Sequence, residues 1–388
     1  MSDSSRVQLR FIEEVTFGEQ PPNPGAAALN DMRFTGEALK QATEVTESQE
    51  IRSDRQVPDI VRTRVSSEGD VNIELSAASH DDILEGALFN TWGTLAPVTA
   101  QSIDVETNDT FAASSGTPFA NAVVGQWIFT SGFTDAANNG FFKIASIPIA
   151  GTDVTVEQVL VTEIGTGDEA VQGQFLPNGT VLKSYYLEKE FSDLSNEFLQ
   201  YHGCRVGQMT VTAAVGSILT GTFTFGGLGE TGANATAGVG SPVTTSGAVM
   251  NAIDNIAGLR EGGVEGGLDI EQVQFTIQNN LRPQSKLGQV FARGIGAGRV
   301  NVSGTLRAYF ESRTLFEKYL NFTISEFAFR AIDAAGAGYV FDFPQLKFTD
   351  GQVLAEGIDR DVFAQMSWSA YLDPTYSVTA GVTRFPGV

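Results

Sequence analysis

The chain has 388 residues, of which 42% are hydrophobic, enough to build cores for two or three domains. Its 46 acidic and 24 basic residues give a net charge of −22, which argues against a protein that grips nucleic-acid phosphates. The single cysteine, Cys204, excludes an internal disulfide and a cysteine-based zinc site. The N-terminal residues lack the pattern of a secretory signal, and no apolar run is long enough to span a membrane. We therefore expect a protein that folds in a reducing cytoplasm.

The N-terminal stretch is predicted to be irregular. Residues 1–30 contain the segment EQPPNPGAAALND, which indicates an extended arm. Residues 40–55 are polar and nearly free of apolar side chains, so they predict a long exposed loop between strands. Long loops in compact domains are usually functional, which makes this segment a candidate contact surface.

A strand and a short helix are predicted next. Apolar and polar residues alternate over one stretch, which indicates a strand with one buried face; the apolar members are Val71, Ile73 and Leu75. Ser79 with Asp82 three residues later marks a helix start. Leu84 and Leu88 then lie at helical spacing, so we expect this helix to lie on a sheet.

Residues 97–178 have a different pattern from the segments around them. Short apolar runs alternate with turns, and Asn139–Gly140 is a strong turn signal before a predicted strand. We interpret these residues as a small all-β domain inserted into a surface loop of a first domain, which spans residues 1–96 and 179–228. Such loops tolerate insertions well.

A glycine-rich linker is predicted over residues 229–268. Val249, Ile253 and Ile256 lie on one helical face, so the linker is expected to carry a short helix. A second domain is predicted over residues 269–388; its first strand is expected in LDIEQVQFTIQNNL, residues 268–281, where Val273, Phe275 and Ile277 alternate with polar residues.

The second domain repeats features of the first in the same order. Residues 69–76 correspond to residues 298–306, and the helical pair Leu84 and Leu88 corresponds to Leu315 and Tyr319. The segment SYYLEKEF corresponds to GYVFDFPQLKF, and GTFTFGGLG corresponds to QMSWSAYLD. The inserted domain has no counterpart in the second half. This order indicates a duplicated sheet-plus-helix unit.

No catalytic constellation stands out. His80 beside two acids indicates a solvated feature of a first helical turn rather than a general base. His202 and Cys204 would share a strand face without a third group to orient them. Residues 227–232 match G-x-G-x-x-G but run into more loop rather than into a helix, which favours a flexible segment. We expect no catalytic residue, cofactor or metal site.

On these segments the chain resembles the tail tube protein, or major tail protein, of long, non-contractile-tailed bacteriophages, with a duplicated tube domain. The resemblance is carried by QNNLRPQSKLG, GAGRVNVSGTLRAYFESRTLFEKYLNFT, AGYVFDFPQLKFTDG and SWSAYLDP. It covers residues 240–388 well, and residues 30–95 and 180–228 more loosely. It does not account for the inserted domain or the N-terminal arm.

The resemblance implies a mainly β fold with two tandem β-sandwich or barrel domains, each with a short flanking helix. In such proteins six units close a ring, so a chain with two units would close as a homotrimer. Stacked rings would form a virion tail tube for genome ejection, made and assembled in the host bacterial cytoplasm. The implied partners are other copies of the chain, the tape measure protein, and the tail terminator and distal tail proteins. DNA would pass through without specific binding.

The resemblance assigns ring stacking to the N-terminal arm and the long loops, which here are Glu37–Gln56 and Asn279–Arg293. The candidate contact residues are Arg52, Asp54, Arg55, Asn280, Arg282 and Lys286. The polar strand residues Asn72, Glu74, Asn301 and Ser303 would face either the channel or the outside, and the inserted domain is expected on the tube exterior. The alternative function is a tail-associated or baseplate protein that binds carbohydrate or a receptor; a polysaccharide-acting enzyme is a third.

Overall fold

The computed structural model describes residues 3–20, 27–93, 95, 97–355 and 357–387, so residues 21–26 of the predicted arm lie outside the described residues. The mainly β fold is confirmed. The strands are, in chain order, β1 (Val7–Glu13), β2 (Asn30–Asp31), β3 (Gly36–Glu37), β4 (Lys40–Glu47), β5 (Ile60–Glu74), β6 (Val98–Gln101), β7 (Ile103–Glu106), β8 (Thr110–Ala113), β9 (Trp127–Ser131), β10 (Gly140–Ile149), β11 (Asp153–Val156), β12 (Glu169–Gln172), β13 (Gln174–Pro177), β14 (Tyr185–Phe191), β15 (Phe198–Ala214), β16 (Thr220–Gly227), β17 (Gly229–Ala233), β18 (Ile256–Glu261), β19 (Val264–Glu265), β20 (Ile270–Gln278), β21 (Arg282–Gln284), β22 (Gly294–Gly296), β23 (Asn301–Tyr309), β24 (Ile324–Ile332), β25 (Ala337–Ala355), β26 (Val362–Ala370) and β27 (Gly381–Pro386).

The described residues form two α-helices, α1 (Asp81–Leu88) and α2 (Thr314–Leu320), at two of the three positions where helices were predicted. Both are followed by a phenylalanine in the left-handed region, Phe89 at φ 50° and Phe322 at φ 50°. The helices differ in burial, because α1 is buried from Ile83 onward whereas only Leu315 of α2 is buried. The same local structure thus has two different surroundings.

The strand order around the two helices is the same. After α1, strand β14 pairs with β15, β15 pairs with β16, and β16 returns to β5. After α2, strand β24 pairs with β25, β25 pairs with β26, and β26 returns to β23. The outer strands also match, since β1 pairs with β14 and β18 pairs with β24. The two halves of the chain therefore share one strand arrangement.

Each half is built around one long strand that belongs to two groups of partners. The N-terminal part of β15 pairs with β14 and β17, and its C-terminal part pairs with β16 and β20. The N-terminal part of β25 pairs with β24 and β27, and its C-terminal part pairs with β26. The β15–β20 pair joins the two halves, so β5, β16, β15, β20, β23, β26 and β25 follow one another in one sheet.

A separate seven-stranded sheet, with the order β6-β12-β9-β10-β11-β8-β7, lies within residues 98–172. It has a hydrophobic cluster of its own, with Phe111, Ile128, Ile144 and Val154 at its centre. Strand β13 follows directly but pairs with β27 of the large sheet. The boundaries of the three predicted domains stay a prediction.

Buried charges attach this seven-stranded sheet to the second half of the chain. Lys143 is fully buried, with Nζ 3.1 Å from Asp342 Oδ2 and 3.5 Å from Glu326 Oε2. Arg260 bonds Glu157 at 2.6 Å and Glu326 at 3.2 Å. A buried cation without such partners would be strongly unfavourable, so these contacts fix where the inserted strands lie.

Three local predictions were wrong. Residues 1–30 were expected to be irregular, but Val7–Glu13 form strand β1, because they pair with β14 along their whole length. Residues 40–47 form strand β4 rather than a loop, because they pair with β5 from Lys40 opposite Glu68 to Glu47 opposite Ile60. The helix predicted from Val249 to Ile256 is also absent. The side chain of Asn251 accepts hydrogen bonds from the N–H groups of Ile253 and Asp254, both at 2.8 Å, which makes a turn. Residues from Ile256 then form β18 on the sheet.

Candidate assembly surfaces

The first candidate surface is on the β4–β5 hairpin. Residues 40–68 of this hairpin are called here the first arm, and the candidate residues lie at its tip. Both strands are largely exposed over most of this length. Arg52, Asp54 and Arg55 lie at its tip, and Arg55 adopts a left-handed φ of 59°. Arg52 bonds Asp54 at 3.0 and 2.7 Å, and this hydrogen bond lowers the pKa of Asp54. These two charges are already paired within the arm.

The second candidate surface is the β21–β22 hairpin, called here the second arm (residues 280–297). Asn280 Nδ2 donates to the Arg299 carbonyl oxygen at 2.7 Å, and Arg282 donates to the Ala297 carbonyl oxygen at 3.0 Å. Lys286 is exposed at the turn. The first two side chains therefore hold the arm's own base together, and only Lys286 of the three lies at its end.

The structure brings the bases of the two arms together. The N–H of Val65 donates to the carbonyl oxygen of Val290 at 3.1 Å, and Val65 forms a bridge with Phe291. Ala292 and Ile295 form a small buried cluster with Leu228 at this point. One arm from each half of the chain thus leaves the same region of the molecule.

Sequence reasoning missed the apolar residues at the ends of the arms. Ile51 is 99% exposed in the first arm, and Leu287 is 100% exposed in the second. Other large apolar residues of the first arm are also exposed, namely Val45, Val57, Ile60 and Val61. The sequence signal that could have identified them is a single Ile or Leu within an otherwise polar segment. Because the bases of the two arms are joined, these exposed residues make the ends of the arms candidates for contact with another molecule.

The third candidate surface is the face of the large sheet opposite its core. Its members alternate with buried residues and are half-buried or exposed; they are Asp70, Asn72, Glu74, Gln208, Thr210, Thr212, Thr220, Thr222, Thr224, Gln274, Thr276, Gln278, Asn301, Ser303, Thr305, Ser367 and Ser369. Thr222 donates to Asn72 at 2.8 Å, and the hydroxyls of Thr210 and Thr276 bond at 3.0 Å across the junction of the two halves. The face is therefore continuous, hydroxyl-rich and weakly acidic.

Cations beside this face among the described residues include Lys347, which lies opposite Ser369 on β25 and stacks over the Phe322 ring, and Arg307, which is paired with an acid. Arg307, at the end of β23, bonds Glu271 at 2.5 Å. The predicted candidates Asn72, Glu74, Asn301 and Ser303 all lie on this single face. The structure thus brings together polar residues from both halves that the sequence could place only strand by strand.

The residues considered for catalysis or phosphate binding, namely His80, Cys204 and the glycine motif, lie in buried or strand-paired positions. His80 is 1% exposed and donates through Nε2 to the Arg33 carbonyl oxygen at 3.0 Å, so its prediction as a solvated residue was wrong. Burial lowers the pKa of His80 and raises that of the buried Cys204 thiol, which keeps both neutral at pH 7. The glycine motif of residues 227–232 was expected to be a flexible segment, but this prediction was wrong, because it lies in the paired strands β16 and β17.

Comparison with known proteins gives one assignment. A family model described as phage tail tube protein matches residues 4–370. No curated protein matches the chain. Within the described part of the chain, neither α-helix has the length and apolar character needed to cross a membrane.

Proposed function

The chain belongs to the phage tail tube protein family, and from this premise we propose that three copies close into a ring and that the rings stack into the channel of a virion tail. The observation that carries the proposal is the strand arrangement that occurs twice within one sheet. The β15–β20 pair already joins two such units side by side. Three chains would place six units around an axis, and a head-to-tail contact that closes makes a ring.

The hydroxyl-rich face of the sheet suits the channel wall. Serine, threonine and glutamine offer DNA phosphates no cation to bind, and the acids at its β5 end repel them. Three copies carry a formal charge of 3 × −22 = −66, which adds to this repulsion. DNA would therefore slide along the wall without specific binding.

The two arms suit contacts between rings. Their bases are joined and their ends present Ile51 and Leu287, whose burial against the next ring would contribute about 1.5–3 kcal/mol each. Lys286 precedes Leu287 in the chain and Arg55 lies in the same β4–β5 loop as Ile51, so these cations would add charge pairing at the same contact. The tape measure, tail terminator and distal tail proteins are proposed partners at the tube's interior and ends.

The inserted strands suit the outside of the tube, away from the channel face. Lys143 and Trp127 attach them to β24, to the N-terminal part of β25 and to β27, through a cluster that includes Ala328 and Val340. None of these strand segments contributes a residue to the hydroxyl-rich face named above, so a module held there would add no bulk to the channel.

Electron microscopy of the concentrated, purified chain tests the proposal. We expect smooth tubes with a central channel, and dilution should give single rings. A monodisperse monomer that never polymerises, and that binds cell-wall polysaccharide through the inserted strands, would instead support the receptor-binding alternative.

A further inference from the structure

Two equivalent clefts occur in the chain, one in each half. The inner cleft, in the second half, is lined by Ile256 and Leu259 of β18, by the start of β20, and by Phe329 of β24. The outer cleft, in the first half, is lined by Val7–Leu9 of β1, by residues 31–35, and by Glu74 of β5. Strands β18 and β1 occupy the same place in the two strand arrangements, so the clefts correspond.

The inner cleft is filled by the chain itself. The turn of the β15–β16 hairpin enters it, and Ala213, Ala214 and Val215 form part of its wall. Val215 donates through its N–H to the Glu271 carbonyl oxygen at 3.0 Å, and Ser217 accepts from Ala252 at 2.9 Å. The remaining cavity has a volume of about 90 Å³.

The outer cleft is open. Its cavity has a volume of about 410 Å³, more than four times that of the filled inner cleft. Leu9 and Met32 are buried in its floor, and Phe34 is half-buried. The short β3 lies against β5 here, in the position that β20 occupies beside β23. The two clefts therefore differ because a hairpin of the chain fills the inner cleft, whereas no hairpin of the described residues enters the outer cleft.

A matching hairpin projects from the second half. The β25–β26 hairpin is the counterpart of the β15–β16 hairpin, because both follow the long central strand of their unit. Its turn residue Ile358 is 92% exposed, and Val353 and Val362 are 36% and 38% exposed. Residues 349–355 of β25 pair with one described strand, β26, on one edge. The corresponding part of β15 pairs with β16 on one edge and with β20 on the other.

We propose that the β25–β26 hairpin of one copy fills the outer cleft of the next copy. The contact repeats between chains the junction that β15, β16 and β20 make within one chain. It rests on the proposed ring, since each copy offers one open cleft and one free hairpin. The occupant of the outer cleft is therefore a second copy of this chain.

The exposed end of α2 belongs to the same contact. At the end of α1, in the first half, the carbonyl oxygen of Ala87 accepts a hydrogen bond at 2.9 Å from the side chain of Asn279, which follows β20. At the end of α2 the corresponding region is open, and Leu320, Phe322 and Ile324 are 63%, 55% and 56% exposed. The segment that follows β3 in the next copy occupies the position equivalent to Asn279 and covers these residues.

Photo-crosslinking of assembled protein tests the contact. We place p-benzoylphenylalanine at position 358, irradiate the assembled protein, and map the joined peptides by mass spectrometry. The expected product is a dimer of 2 × 41.4 = 82.8 kDa in which position 358 is joined to residues 7–35 of another copy. The same probe at Ile164, which is 84% exposed in the loop between β11 and β12, should not reach those residues.

The outcomes separate the contact from the proposed function. Tubes or rings whose crosslinks from position 358 map away from residues 7–35 overturn the contact and leave the tube standing. A wild-type chain that stays monomeric at high concentration overturns both. As a second measure, Ile358→Asp should raise the protein concentration needed for ring formation at least tenfold, while Ile164→Asp should leave that concentration unchanged. Equal behaviour of these two variants would also contradict the proposal.

Discussion

Replacing the buried Lys143 with methionine should strongly destabilise the chain. Its Nζ lies 3.1 Å from Asp342 and 3.5 Å from Glu326, and the side chain is fully buried. Burial alone lowers the pKa of Lys143, but Asp342, Glu326 and Glu157 together raise it above its usual value, so the ammonium is charged at pH 7. Removing one partner of a buried ion pair costs about 3–5 kcal/mol, because the remaining carboxylates lose their counter-charge.

Urea unfolding of dilute, unassembled protein measures the effect. With an m-value of about 3 kcal/mol/M, a loss of 3–5 kcal/mol lowers the urea midpoint by about 1–1.7 M. Lys40→Met is the matched control, since Lys40 pairs with Glu68 at 3.4 Å while 66% exposed and should cost at most about 1 kcal/mol. Adding Asp342→Asn to Lys143→Met should restore part of the loss. A midpoint for Lys143→Met equal to that of the control would refute the reasoning.

Three further predictions concern acid stability, ring stacking and strand packing. Burial raises the pKa of Glu157, but Lys143 and the surrounding hydrogen-bond donors lower it more, so the folded pKa lies below the usual 4.5. The stabilising contribution of Glu157 is therefore present above about pH 4.5 and is lost as the pH falls through the lower folded pKa. Glu157→Gln should lower the melting temperature at pH 7 and make the melting temperature fall less steeply in acid; an unchanged pH profile would count against this. Leu287→Asp should shorten or abolish tubes in electron micrographs while leaving single rings intact, whereas Leu287→Met should assemble normally; tubes of full length from the Asp variant would show that the second arm does not stack. Gly304→Ala should cost about 1–3 kcal/mol in urea unfolding, because its Cβ would lie 2.3 Å from the Trp368 ring and 2.5 Å from a backbone oxygen; a neutral effect would mean that the strands yield easily.

Local patterns predicted the parts of the fold in which one chain segment decides its own structure. Val71, Ile73 and Leu75 are buried as their alternation indicated, and Leu84 and Leu88 of α1 are buried as their spacing indicated. The order of the repeated segments also led to the correct family, because the order of elements survives where individual residues differ. These features depend on side-chain periodicity, which the sequence carries directly.

Other features depend on partners distant in sequence. The polar residues of β4 gave no strand signal, and they form a strand only because β5 extends far enough to pair with them. The apolar spacing of Val249 and Ile253 fits a helix, but the side chain of Asn251 bonds the local backbone and the following residues find a strand partner in β24. Tertiary pairing outweighs local preference in both cases.

The assembly surfaces were predictable only in part. Residue type and polarity pointed to the two polar segments as loops, and the structure shows that Arg52 and Lys286 of these segments lie near the ends of exposed hairpins. They did not reveal that Arg52 is already paired with Asp54, or that Ile51 and Leu287 are the most exposed large apolar residues there. The relation between the two clefts is not visible in the sequence, because each cleft brings together distant parts of the chain, such as Val7 with Glu74 and Ala213 with Phe329.

Native mass spectrometry of the smallest assembled ring tests the central claim most directly. A chain with two equivalent units should give rings of three copies, with a mass of 3 × 41.4 = 124.2 kDa. A ring of six copies, with a mass of 6 × 41.4 = 248.4 kDa, would contradict the two-unit account.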